Sequence, residues 1–159
     1  MSTVYLSTTK LAHFAQARQD LVTLLTDFQE QMEVANVRPN ITTVVDNHIQ
    51  RGSPTPYISV GVTNVGEMDY VSRSGSIYEI RLPIEMQIWL HVSPLEGQYD
   101  ERMKWNLLNS LFNYLKDVST ISTSFDAMFL RRITGDMAFD VSGTAGAIVD
   151  LTVYKVATT

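Results

Sequence analysis

Three histidines, His13, His48 and His91, are the residues of this chain best suited to metal or acid–base chemistry, and their spacing suits neither. They fall in different predicted elements, with no pair at i, i+4 and no His-Glu-x-x-His, so no helix would bring two imidazoles onto one metal ion. His91 lies on the outward side of an alternating strand and reads as a surface histidine. No serine sits in Gly-x-Ser-x-Gly, the strained turn that presents a nucleophile. Gly143-Thr144-Ala145-Gly146 lacks the lysine of a phosphate loop and reads as a small-residue hinge. Glu79 and Glu85 share a strand face but stand ~20 Å apart at ~3.3 Å per residue, too far for a glycosidase pair. With no cysteine, thiolate chemistry, thiolate metal sites and disulfides are all excluded. The expectation is therefore no catalytic residue, no cofactor and no metal, in a protein that is not an enzyme.

Arg131-Arg132 is the sharpest basic feature. On a regular strand the two side chains point to opposite faces, one solvated and one available for an ion pair or an interface. Trp89, on the polar side of the same strand as His91, either packs under a second layer or anchors an interface. Trp105 invites the same reading.

The element that positions most of these residues is Tyr78–Val92. Its even positions Tyr78, Ile80, Leu82, Ile84, Met86, Ile88, Leu90 and Val92 are apolar, and its odd positions are polar except Pro83 and Trp89. A period of two held this long is a strand with one buried face. It would span roughly 50 Å, whereas ordinary strands run about 5–6 residues. Such a strand suggests an extended hairpin projecting beyond its own core toward a neighbouring subunit. Pro83 has no N–H to give a ladder and marks an edge or a bulge.

Helical spacing of Leu11, Phe14, Leu21, Leu25, Phe28 and Met32 predicts a helix over 10–34, with Ser7, Thr8 and Thr9 as N-caps. Met103, Leu107, Leu108, Leu111, Tyr114 and Leu115 predict a second over 100–116, capped by Asp100. Short strands are expected at 41–45 and 57–63. The segment Thr63–Gly75 reads as a long loop, functional or mobile, whose Met68, Tyr70 and Val71 fold back or dock on a partner. Strands over 128–133 and 137–141 flank a Gly135-Asp136 turn, and 147–156 closes the chain. The fold class is α+β: a mostly antiparallel sheet with a long β-hairpin, packed by two main helices, in a single domain over 1–159.

The chain has 159 residues, 45% hydrophobic, with 17 acidic against 12 basic residues and a net charge of −5. That is enough apolar material for one core, and the balance opposes tight phosphate binding. No stretch reads as a signal peptide or a membrane span.

In its order of elements the chain resembles the tail terminator (tail completion) proteins of long-tailed bacteriophages. The resemblance is carried by the long first helix, the segment Thr63–Gly75, the alternating strand Tyr78–Val92, the helix Asp100–Lys116 and a C-terminal β region running through Gly143-Thr144-Ala145-Gly146-Ala147-Ile148-Val149. It spans about Lys10 to Val156. It implies a homo-hexameric ring at the head-proximal end of the tail, assembled in the host cytoplasm. The ring ends tube polymerisation and presents a surface to the head connector and neck proteins. Phage DNA passes through the lumen without sequence-specific binding, and no membrane is involved. Interface candidates under this reading are Glu67, Met68, Asp69, Tyr70 and Arg73 in the long loop, Glu79, Arg81, Glu85 and Trp89 on the long strand, and Arg131 and Arg132. Other head–tail connector and tail tube proteins share parts of this signature. A ligand-binding or enzymatic domain would instead need a pocket built from Tyr57, Arg81, His91 and Arg131.

Overall fold

The alternating segment forms one strand, β4 (Ser76–Val92). Its even side chains from Leu82 to Val92 are all buried, with Ile84 and Ile88 fully so. In a computed structural model, which describes residues 8–37, 40–46, 48, 54–73, 75–93, 98–121, 125–139 and 144–158, this strand is the centre of a six-stranded sheet. The other elements, in chain order, are α1 (Thr8–Val34), β1 (Val44–Val45), β2 (Tyr57–Val65), β3 (Asp69–Arg73), α2 (Gln98–Ile121), β5 (Ala127–Phe139) and β6 (Thr144–Thr158). The strand order is β1-β2-β4-β6-β5, with β3 also paired to β4. Only β1 and β2 run parallel. The fold is thus α+β, as the patterning predicts, and the sheet is open rather than closed into a barrel.

Both helices lie on the even face of β4. Leu21, Leu25, Phe28 and Met32 of α1, and Met103, Leu107, Leu108, Leu111 and Leu115 of α2, join the even positions of β4 and the odd positions of β6 in one apolar cluster. Each such aliphatic side chain contributes about 1.5–3 kcal/mol on burial. Phe14, expected on the same stripe, is instead 38% exposed. Polar ties fix the layers. Lys155 of β6 reaches Asp20 of α1 at 2.6 Å, and the Tyr114 hydroxyl of α2 lies 2.7 Å from Asp27 of α1. Burial and the Asp27 carboxylate raise the Tyr114 phenol above its ordinary value, so it stays a donor.

Several expectations need correction. The segment Thr63–Gly75 is not a loop throughout, because Asp69–Arg73 pairs with β4 as β3. β2 and β3 thus form one interrupted strand beside β4, a hairpin over 57–92 in which Arg73 pairs with Ser76 and the intervening Gly75 has φ 80°. Pro83 is on the central strand, so the edge half of its expectation fails, while the strand beside it is irregular there: residues 66–68 stand opposite only 82–83 between the pairs Val65↔Ile84 and Asp69↔Arg81. Its carbonyl accepts from Gly66 N–H at 2.8 Å, so its missing N–H faces the gap between β2 and β3, where a ladder bond is least needed. Gly135-Asp136 is not a turn. It forms a bulge inside a single β5, because β6 pairs with both flanks, Trp105 packs against Gly135, and Lys104 bonds Asp136 at 3.2 Å. Thr144–Gly146 is strand rather than hinge, and 141–143 lie outside the described residues. The strand expected at 41–45 shrinks to Val44–Val45. Thr8 and Thr9 lie within α1 rather than capping it, and Ser7 lies outside the described residues. Asp100 falls inside the first turn of α2.

Candidate functional site

The register of β2 on β4 sets Tyr57 opposite His91 and Ser59 opposite Trp89, all on the face turned away from the helices. Here the surface reading of His91 fails: it is 0% exposed. Alternation assigned its face correctly, but that end of the face has its own cover. Tyr57 stacks on His91 at 4.2 Å, and Trp89 is sandwiched between His48 at 3.9 Å and Phe139 of β5 at 4.6 Å. Trp89 is therefore packed under a second layer, the first of its two expected roles. One hydroxyl lies between the two imidazoles, with Ser59 Oγ 2.8 Å from His48 Nδ1 and 2.7 Å from His91 Nε2.

A serine hydroxyl within hydrogen-bond reach of an imidazole is the distance relation of a nucleophile and its base. The surroundings do not suit that chemistry. Ser59 is 1% exposed, so a substrate carbonyl has no approach. The hydroxyl has one hydrogen and two lone pairs, so at most one imidazole accepts from it and at least one donates to it. The serine works as a pin between β2, β4 and the segment carrying His48. Gly61 makes room for that ring, since a Cβ there would stand 2.5 Å from His48 Nε2. The same Nε2 is buried with no hydrogen-bond partner. Burial lowers both histidines to about 4, and for His91 the neighbouring His48 adds to it. Between about pH 6.5 and 4 the unfolded chain binds protons that the folded chain refuses. Stability is therefore expected to be level above pH 7 and to fall by about 3 kcal/mol toward pH 4, the two sites acting together rather than additively. Urea denaturation at a series of pH values checks this, and a profile flat to pH 4.5 would show that the imidazoles take up protons without opening the cluster.

Along the rest of this face runs a charged ladder. Trp89 Nε1 donates to Gln87 Oε1 at 3.0 Å, Gln87 Nε2 donates to Asp150 Oδ1 at 2.9 Å, and Arg132 approaches Asp150 at 3.8 Å. Arg81 bonds Glu79 at 3.0 Å, and Glu85, four residues further along the strand, is exposed. The two arginines of β5 do not point to opposite faces. A bulge between Leu130 and Arg132 shifts the register, so Arg131 donates to Thr152 and Arg132 meets Asp150 on the same side. Arg131 also lies 5.3 Å over the Phe129 ring.

The remaining candidates lie on the distal part of the hairpin. Glu67 and Asp69 are exposed, Tyr70 is 57% exposed, and Met68 lies 4.0 Å from its hydroxyl. Arg73 ends β3, and its side chain lies outside the described residues. The structure therefore divides the predicted residues into an arm (67–73 with Glu79 and Arg81), a central ladder (Glu85, Trp89) and the β5 edge (Arg131, Arg132). Of the proposed pocket residues only Tyr57 and His91 meet. His48 and Ser59 were missed by sequence reasoning, and only Trp89 among polar neighbours signalled a covered patch. Among the described residues no group of three or more His, Cys, Asp or Glu is placed to hold a metal ion, and no helix is long and apolar enough to cross a membrane. No protein-family model matches the sequence, and no curated protein matches it significantly.

Proposed function

We propose that this chain is a structural virion protein that forms a ring, hexameric by the resemblance, at the head-proximal end of a phage tail tube, where it ends polymerisation and offers the head-joining surface. The observation that carries this reading is the hairpin over 57–92. The even side chains of β4 are buried from Leu82 to Val92 and Ile80 is only partly so, while the strand beside the distal part of β4 holds exposed Met68 and Tyr70. A fold that needed this hairpin only for its core would end it near Ile80, the last even side chain shown packing against the cluster. Large exposed side chains on the outer strand of a long hairpin suit contact with another chain. The sealing of Ser59 and His91 further weighs against the enzymatic alternative. The mixed charges of the open face, Glu79, Glu85 and Asp150 with Arg81, Arg131 and Arg132, suit a wall past which DNA slides without being held.

The register supplies a clean test. Asp69 and Arg81 are directly paired, so Tyr70–Ile80 can be replaced by Asn-Gly, a two-residue hairpin turn. The shortened protein is expected to melt cooperatively and to lose tube capping and head joining in a reconstituted tail assembly. Normal capping by the shortened protein would remove the arm from the account.

A further inference from the structure

We propose that the arm of one copy docks on β5 of the next copy, so that subunits join head to tail along opposite margins of the sheet. This deepens the ring reading above by naming the two surfaces of its subunit contact. The occupant follows from how the two margins match. β3 lies on the β2 side of β4, and β5 ends the sheet on the other side, past β6. On the arm, Asp69 pairs with Arg81 and so belongs to the open face, while Tyr70 pairs with Ile80 and belongs to the helix side. On β5, the bulge turns Arg131 and Arg132 to the open face, while Ile133 pairs with Val149 and belongs to the helix side.

Two copies placed margin to margin, with their open faces turned the same way, therefore bring carboxylate opposite guanidinium on one face. On the other face they bring Tyr70 opposite Ile133, which is 39% exposed. Glu67 and Met68 extend the acidic, apolar surface of the arm. Phe129, 48% exposed, extends the basic, apolar surface of β5. Pairing β5 on β5 sets arginine against arginine, whereas the arm carries Arg81 beside Asp69 and is the less strictly self-excluding of the two surfaces. The contact is one of side chains rather than a continued hydrogen-bond ladder, because the bulges between Leu130 and Arg132 and between Thr134 and Met137 interrupt the edge of β5. Its two surfaces differ, so it is heterologous and repeats from copy to copy until a ring closes.

Two charge-reversed proteins test the assignment: Glu67→Lys/Asp69→Lys and Arg131→Glu/Arg132→Glu. All four positions are exposed, so each variant is expected to fold, as circular dichroism melts would verify. By light scattering, the wild-type protein is expected to associate. Each variant alone is expected to associate at least about 100-fold more weakly. An equimolar mixture of the two is expected to recover assembly, because each lysine arm then meets a glutamate-bearing β5 and each native acidic arm meets a native basic one. A wild-type protein that stays monomeric overturns the proposal, as does a folded variant that associates like wild type or a mixture no better than its components. Wild-type rings that persist in both variants would overturn this interface and leave the ring reading standing. Absence of rings and of tube capping in the wild type would overturn both.

Discussion

Gly146→Val is expected to be the most damaging single substitution in the chain, costing more than ~4 kcal/mol or preventing folding. Gly146 pairs with His91 at the point where β6 crosses the covered end of the open face. A Cβ at this position would stand 1.8 Å from the Leu90 carbonyl oxygen and 2.9 Å from its carbon. Both are backbone atoms of the central strand, so no rotamer change relieves the overlap, and β6 must move off β4. Gly146→Ala meets the same atoms and is expected to cost at least ~3 kcal/mol. Gly75→Ala is the control. Its φ of 80° strains any side chain, but nothing lies within 4 Å of the new Cβ, so the cost is expected to stay near 1 kcal/mol. Urea denaturation of the three proteins would check the ranking. A Gly146→Ala loss no larger than that of Gly75→Ala would mean that β4 and β6 are not this close.

Ser59→Ala is expected to lose about 2–4 kcal/mol, well beyond the usual value of one hydroxyl, because it strands two partners at once. His48 would lose its one bonded nitrogen while its Nε2 is already unpaired, and His91 would lose the bond at its own Nε2. A buried polar atom left without a partner costs about 1–3 kcal/mol, more than the net gain from forming the bond. The measurement is again chemical denaturation, at pH 7.5 where both rings are neutral. A loss below ~1 kcal/mol would mean that water enters and bonds the imidazoles, and that the serine is not the pin described here.

These two residues also show where the sequence stops being legible. The long strand and both helices follow from local periodicity, and the structure keeps them with boundary shifts of a few residues. The side of His91 was legible as well, because alternation is a property of one strand. Whether that side is covered depends on Ser59, His48 and Phe139, which come from other segments, and no local pattern records their arrival. β3 was hidden because Asp69–Arg73 mixes charge with apolar residues and follows Gly66-Glu67, a composition that reads as loop. Gly135-Asp136 has turn chemistry, yet β6 pairs with both flanks and turns it into a bulge. The bulge at Arg131 had no local signal at all, and it alone places the two arginines on one face.

Self-assembly through the arm is tested most directly by particle mass from light scattering with negative-stain imaging of the same samples, over a concentration series and with tail tubes added. The predicted result is six-fold annuli of six monomer masses, with a hole wide enough for a DNA duplex, free or seated on tube ends. Monomers at every concentration, with tube ends left bare, would contradict it.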